Sequence, residues 1–159
     1  MKSAISLNVN GVPREFSVDP NQTLLEVLRN ELDLTSVKEG CDRIGECGTC
    51  TILMDGRPIL SCLVLAIEAQ GKEILTVEGL STGEKLHSIQ EAFIKHGAFQ
   101  CGFCTPGMIM TVKGFLDKNS NPTEGQIRDA IKGNLCRCTG YVKLVEAVKA
   151  IASQNKEVV

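Results

Sequence analysis

Glu39-Gly40-Cys41-Asp42-Arg43-Ile44-Gly45-Glu46-Cys47-Gly48-Thr49-Cys50 places three cysteines in one short loop, and a fourth, Cys62, follows close behind. Between them lie the apolar run Thr51-Ile52-Leu53-Met54, the turn pair Asp55-Gly56 and a second run, Pro58-Ile59-Leu60-Ser61-Cys62-Leu63-Val64. Two such runs about an Asp-Gly pair read as a β-hairpin, so Cys62 is expected to arrive from a strand. A loop that gathers three thiols about one centre needs glycine where the backbone takes positive φ or approaches closely, and Gly40, Gly45 and Gly48 supply it.

Toward the N-terminus, Ala4-Ile5-Ser6-Leu7-Asn8-Val9 and Arg14-Glu15-Phe16-Ser17-Val18 alternate apolar with polar about Asn10-Gly11, a second hairpin signal. A helix is expected next, capped by Asn21 or Thr23, with Leu24, Leu25, Val27, Leu28 and Leu32 as its apolar stripe and Asp33 at its end. Ile74-Leu75-Thr76-Val77 offers a last strand. A mixed sheet holding one helix accounts for this half.

Beyond Gly79 the apolar period changes from two to 3.6. Leu86, Ile89, Phe93 and Ile94 mark one helix, and Met108, Ile109, Val112, Phe115 and Leu116 mark a second that starts near Pro106. Thr123-Glu124-Gly125-Gln126 reads as a capping box ahead of Ile127 and Ile131, and Val142, Val145, Val148 and Ile151 line a final helix. The tail from Ser153 is expected to fray. The change of period falls in Glu78-Gly79-Leu80-Ser81-Thr82-Gly83, which predicts an α+β chain of two domains, 1–79 and 80–159.

The second half carries its own four cysteines: Cys101 and Cys104 in Gln100-Cys101-Gly102-Phe103-Cys104-Thr105-Pro106-Gly107, and Cys136 and Cys138 in Gly133-Asn134-Leu135-Cys136-Arg137-Cys138-Thr139-Gly140-Tyr141. Both pairs are expected at helix N-termini, where free N–H donors and the helix dipole favour thiolate. The eight cysteines thus form two fours with none left over, and four thiolates are what one 2Fe-2S cluster requires. Two structural zinc sites are the competing use, although a C-x-C pair and a glycine-rich three-cysteine loop are less usual for zinc. Disulfides fit poorly with the start of the chain, which has no long apolar run or cleavage site of a secretory signal, so a reducing cytoplasmic location is expected. No stretch approaches about 18 apolar residues, which excludes a membrane-spanning helix. A formal charge of -2 argues against a nucleic-acid partner.

These motifs together resemble the small iron-sulfur subunit of the molybdenum hydroxylases, the family of xanthine dehydrogenase, aldehyde oxidoreductase, carbon monoxide dehydrogenase and nicotinate dehydrogenase. The resemblance runs from about Ile5 to Ile151. It implies an N-terminal β-grasp, plant-ferredoxin-like domain with Cys41, Cys47, Cys50 and Cys62 on a flavin-proximal 2Fe-2S cluster. It implies an all-α four-helix domain with Cys101, Cys104, Cys136 and Cys138 on a molybdenum-proximal one. It further implies that Cys138 lies against the molybdopterin as the electron gateway, that Gln100 hydrogen-bonds that cofactor, and that the partners are a molybdopterin-binding large subunit and an FAD-binding medium subunit, arranged as a dimer of heterotrimers. This chain would hold no catalytic residue. One departure stands out: five residues separate Cys41 from Cys47, where the plant-type pattern is C-x4-C-x2-C.

A free-standing two-cluster ferredoxin is the alternative, distinguished by a charged rather than apolar face around the cysteines. Phe99, Phe103, Met108 and Met110 crowd the second set and read equally as core or as such a face. His87 and His96 read as packing or solvated residues, and Arg137 and Lys143 as solvated charges or as cations that raise a cluster potential.

Overall fold

Ile5, Leu7 and Val9 alternate to one side of β1 (Ser3–Val9) and are buried there. Asn10 and Gly11, at φ 53° and 79°, make the tight turn the sequence predicts. The chain returns as β2 (Val12–Val18), with Ser3 opposite Val18. The computed structural model describes residues 2–154. With β3 (Thr51–Met54), β4 (Arg57–Leu60) and β5 (Glu73–Leu75), these strands form one five-stranded sheet in the order β2-β1-β5-β3-β4. Its β1–β5 pair is parallel and the others antiparallel, so the sheet is mixed as expected.

Thr23, not Asn21, caps α1 (Leu24–Glu26): its hydroxyl accepts the Glu26 N–H while the Glu26 carboxylate accepts the Thr23 N–H at 2.8 Å. The helix widens at once into a π turn, Val27–Glu31. Leu24, Leu25, Val27 and Leu28 all reach the sheet-side core. Two expected strands are shorter than their apolar runs. β4 stops at Leu60 because Ser61 turns back, its N–H and hydroxyl both donating to the Cys50 carbonyl, so Ser61–Leu63 is a 3-10 turn and Cys62 comes from that turn rather than from a strand. β5 likewise ends at Leu75, and Val77–Leu80 coils as 3-10.

The second half contributes α2 (Ser88–Lys95), α3 (Thr105–Leu116), α4 (Glu124–Ile131) and α5 (Val142–Gln154). Thr123 caps α4 through the predicted box. In α2 the buried stripe is Ile89 and Phe93 alone; Leu86 precedes the helix and Ile94 points to solvent, because only one face of this short helix meets the core. α2 is capped by His87, whose Nδ1 accepts the Ile89 N–H, and His96 closes its other end. α3 is buried on most sides because it lies between α2, α4 and strands β3 and β4. Residues 155–159 of the tail expected to fray lie outside the described residues. Among the described residues no helix is long and apolar enough to cross a membrane.

Candidate metal centres

Cys41, Cys47 and Cys50 lie on the loop between α1 and β3, and Cys62 faces them from the turn after β4. The thiols meet in pairs, Cys41 with Cys47 and Cys50 with Cys62, and Cys62 also senses the charge of Cys41 and Cys47. Burial, reinforced by Cys50, pushes the Cys62 thiol up to about 12. Burial also raises Cys41, but the Cys47 N–H and thiol and the N–H groups of Glu46 and Gly45 outweigh it and bring that thiol down to about 7. The five-residue gap is absorbed by two successive left-handed residues, Asp42 at φ 52° and Arg43 at φ 64°. They turn Ile44 into solvent, 65% exposed, so the cysteines on either side still meet. Arg43 ties this bulge down through Glu26 at 2.7 Å and Glu39 at 3.3 Å.

The second set is also two pairs: Cys101 and Cys138, with sulfurs 3.5 Å apart, and Cys104 with Cys136. Cys104 is the N-cap of α3 and is buried, which pushes its thiol up to about 12, with Cys136 and Cys101 adding to the shift. Contrary to expectation, Cys136 and Cys138 do not sit at the start of α5, because Thr139, Gly140 and Tyr141 intervene and the Tyr141 carbonyl accepts the Val145 N–H. Burial raises the Cys136 thiol, but the hydroxyl and N–H of Thr139 and the Cys138 N–H lower it overall. Cys101 and Cys138 are exposed at the surface beside Gln100, which is also exposed.

A cleft of about 250 Å3 joins the sets, lined by Cys47 and Thr49 from one half and by Phe103, Leu135, Arg137 and the second set from the other. Beside it the two loops are stapled backbone to backbone. The Leu135 N–H donates to the Cys47 carbonyl at 2.9 Å, one residue before Cys136. The buried Asn134 side chain donates to the Gly48 carbonyl at 2.9 Å, which also accepts the Thr51 hydroxyl at 2.7 Å. Gly48, at φ 69°, has no room for a Cβ, which would lie 2.4 Å from the Gly133 carbonyl; one on Gly107 would lie 2.5 Å from the Gly48 carbonyl.

The pairing tests the fit to a metal group. Among the described residues no three metal-ligating side chains close on a single point; the thiol contacts are pairwise. These thiols would fit a 2Fe-2S core, whose positive charge would let four neighbouring thiols ionise together, which they cannot do while sharing charge with one another. The buried Thr105 hydroxyl, one residue after Cys104, has no partner among the described residues, which leaves a free donor next to the second set.

Comparison with known proteins agrees. A 2Fe-2S iron-sulfur cluster binding domain profile matches residues 7–76, and a second 2Fe-2S binding domain profile matches residues 76–149. The nicotinate dehydrogenase small FeS subunit of Eubacterium barkeri is 49% identical, over 93% of this chain and 94% of that protein. The xanthine dehydrogenase iron-sulfur-binding subunit of Escherichia coli O157:H7 is 51% identical, over 91% of each. The chain belongs to the small iron-sulfur subunits of the molybdenum hydroxylase family. The solved quinoline 2-oxidoreductase from Pseudomonas putida 86 contains a chain of the same fold, with a TM-score of 0.93 at 47% identity, covering 98% of this chain and 97% of that one. As a small iron-sulfur subunit of this family, the chain binds two 2Fe-2S clusters and serves an oxidoreductase as its electron-transfer component; the free-standing ferredoxin reading gives way. Cluster-side residues that the sequence did not single out are Thr49, Asn134, Thr139 and Tyr141. Thr49 lies inside the first quoted motif and the other three inside the second, so the cysteine motifs were the signals that pointed near them.

Proposed function

We propose that Cys41, Cys47, Cys50 and Cys62 hold one 2Fe-2S cluster and Cys101, Cys104, Cys136 and Cys138 the other, in a β-grasp domain (1–79) and a four-helix domain (80–159) of a cytoplasmic enzyme. The partners in this reading are a molybdopterin-binding large subunit over Gln100 and Cys138 and an FAD-binding medium subunit over the first set, assembled as a dimer of heterotrimers. When bound, each cluster accepts and returns one electron.

The observation that carries the reading is the rim of the second set. Phe99, Phe103 and Leu135 are 41%, 45% and 53% exposed beside the surface thiols Cys101 and Cys138. A diffusible carrier has no use for such an apolar face, whereas a subunit covers it. Met108 and Met110, by contrast, are core. Lys143 pairs with Glu146 and is spent locally, while Arg137 lines the cleft and places a cation beside the second set. Within the chain, the thiols bind, the staple holds the two ligand loops together, and Phe103 and Leu135 line the cleft with apolar surface.

Metal and flavin analysis of the complex from its native cell tests this. About four iron per small chain, with molybdenum and flavin near one each, is expected, and Cys62→Ser and Cys138→Ser should each lower iron to about two. Four iron on a lone monomer would overturn the partner assignment, and zinc in place of iron the cluster assignment.

A further inference from the structure

Thr139 follows the last cysteine of the second set, and its side chain turns back to Cys136. Its hydroxyl oxygen lies 3.1 Å from the Cys136 sulfur and its N–H donates to the same sulfur at 3.4 Å. A ligating Cys136 carries no proton, so the hydroxyl is the donor in this contact, and the Tyr141 N–H donates to the Thr139 oxygen at 3.3 Å. One lone pair of that oxygen is therefore occupied from the α5 side, leaving the O–H free to point at the sulfur. The loop that presents Thr139 is itself held by Tyr141, whose hydroxyl accepts the Cys136 N–H at 2.8 Å and donates to the Asn134 carbonyl at 3.1 Å.

Among the described residues, the nearest counterpart in the first set is shared. Thr49 brings its hydroxyl to 3.1 Å from the Cys47 sulfur, but that hydroxyl also donates to the Lys38 carbonyl at 3.2 Å. A hydroxyl has one proton and cannot give it fully to both.

We infer that Thr139 is a positioning residue for the reduction potential of the cluster on Cys101, Cys104, Cys136 and Cys138, through its hydroxyl bond to the Cys136 sulfur. The inference rests on the ligand assignment above. Reduction adds one electron and so one negative charge to the cluster and its thiolates, with no proton taken up by Thr139. An O–H aimed at a ligating sulfur is worth more to the more negative, reduced form, so it raises the potential.

The test is an EPR-monitored redox titration of the holocomplex, with Thr139→Val as the near-isosteric change. Its second cluster should be about tenfold harder to reduce, a midpoint lower by about 59 mV for a one-electron couple, while the first cluster serves as internal reference and does not move. Thr139→Ser, which keeps the hydroxyl, should restore most of the midpoint. Thr139→Ala and Thr139→Ser, both smaller than threonine and differing from each other in the hydroxyl alone, repeat the comparison if the valine variant does not load. Equal midpoints with and without the hydroxyl, or loss of the cluster in the serine variant, would overturn the role. Iron content separates this from the parent reading: fewer than four iron in the unaltered protein would fail the ligand assignment, whereas four iron with an unmoved midpoint would fail only Thr139.

Discussion

Glu78 shows what one side chain does at the join between sheet and helices. Its carboxylate accepts the Ser36 hydroxyl at 2.5 Å, the Ser36 N–H at 3.2 Å and the Thr76 hydroxyl at 2.6 Å. Burial pushes the acid up, but the Ser36 and Thr76 hydroxyls and the N–H groups of Glu78 and Ser36 outweigh it, and the group sits below the usual 4.5. A folded value below the unfolded one contributes stability that is complete above the unfolded value and is lost as pH falls through the folded value. Glu78→Gln is therefore expected to cost about 1 kcal/mol in urea unfolding at pH 7, a figure kept low because much of the side chain faces solvent. The gap to the parent protein should close as pH drops below 4.5; a gap constant with pH would show that the charge is not what matters. Nothing near Glu78 in sequence announces this role, since Ser36 is 42 residues away. Ile44 is the opposite case: its extra position was visible in the cysteine spacing, but the left-handed pair that absorbs it was not, because neither Asp42 nor Arg43 is a glycine.

Among the elements, the caps were the most legible. Thr23 and Thr123 each stand three residues before Glu26 and Gln126, and both boxes form. His87 stands in the same relation to Gln90 and forms a box as well, but histidine is not among the usual cap residues, so the spacing alone did not reveal it. The strand ends were misjudged where apolar content outran hydrogen bonding: Ser61 and Val77 belong to apolar runs yet coil. The staple between the ligand loops was not legible at all, since it joins Asn134 to Gly48 across 86 residues. Asn134→Ala removes the donor from two buried acceptors, the Gly48 carbonyl and the Thr51 hydroxyl. We expect a loss of about 1–3 kcal/mol in unfolding free energy with iron content unchanged. A variant as stable as the parent would assign the seam to its backbone contacts alone.

For the whole molecule, the switch of apolar period near Gly79 already announced a mixed sheet followed by helices, because apolar spacing is a local fact. What a chain leaves uncovered is not local, and Phe103 and Met108, five residues apart, went opposite ways. Phe103→Ser and Leu135→Ser should each weaken association with the larger subunit by about 30-fold, the effect of losing roughly 2 kcal/mol from an apolar anchor, while leaving iron in place. Unchanged affinity measured by surface plasmon resonance would move the docking face elsewhere. The seam at Gly48 and Gly107 has a wider consequence. Because a Cβ fits at neither glycine, the interval between the two loops is set there by close backbone approach, with the Asn134 side chain bonded across it. Substitution away from that seam is left to alter the surroundings of each centre rather than the spacing of the loops that carry them.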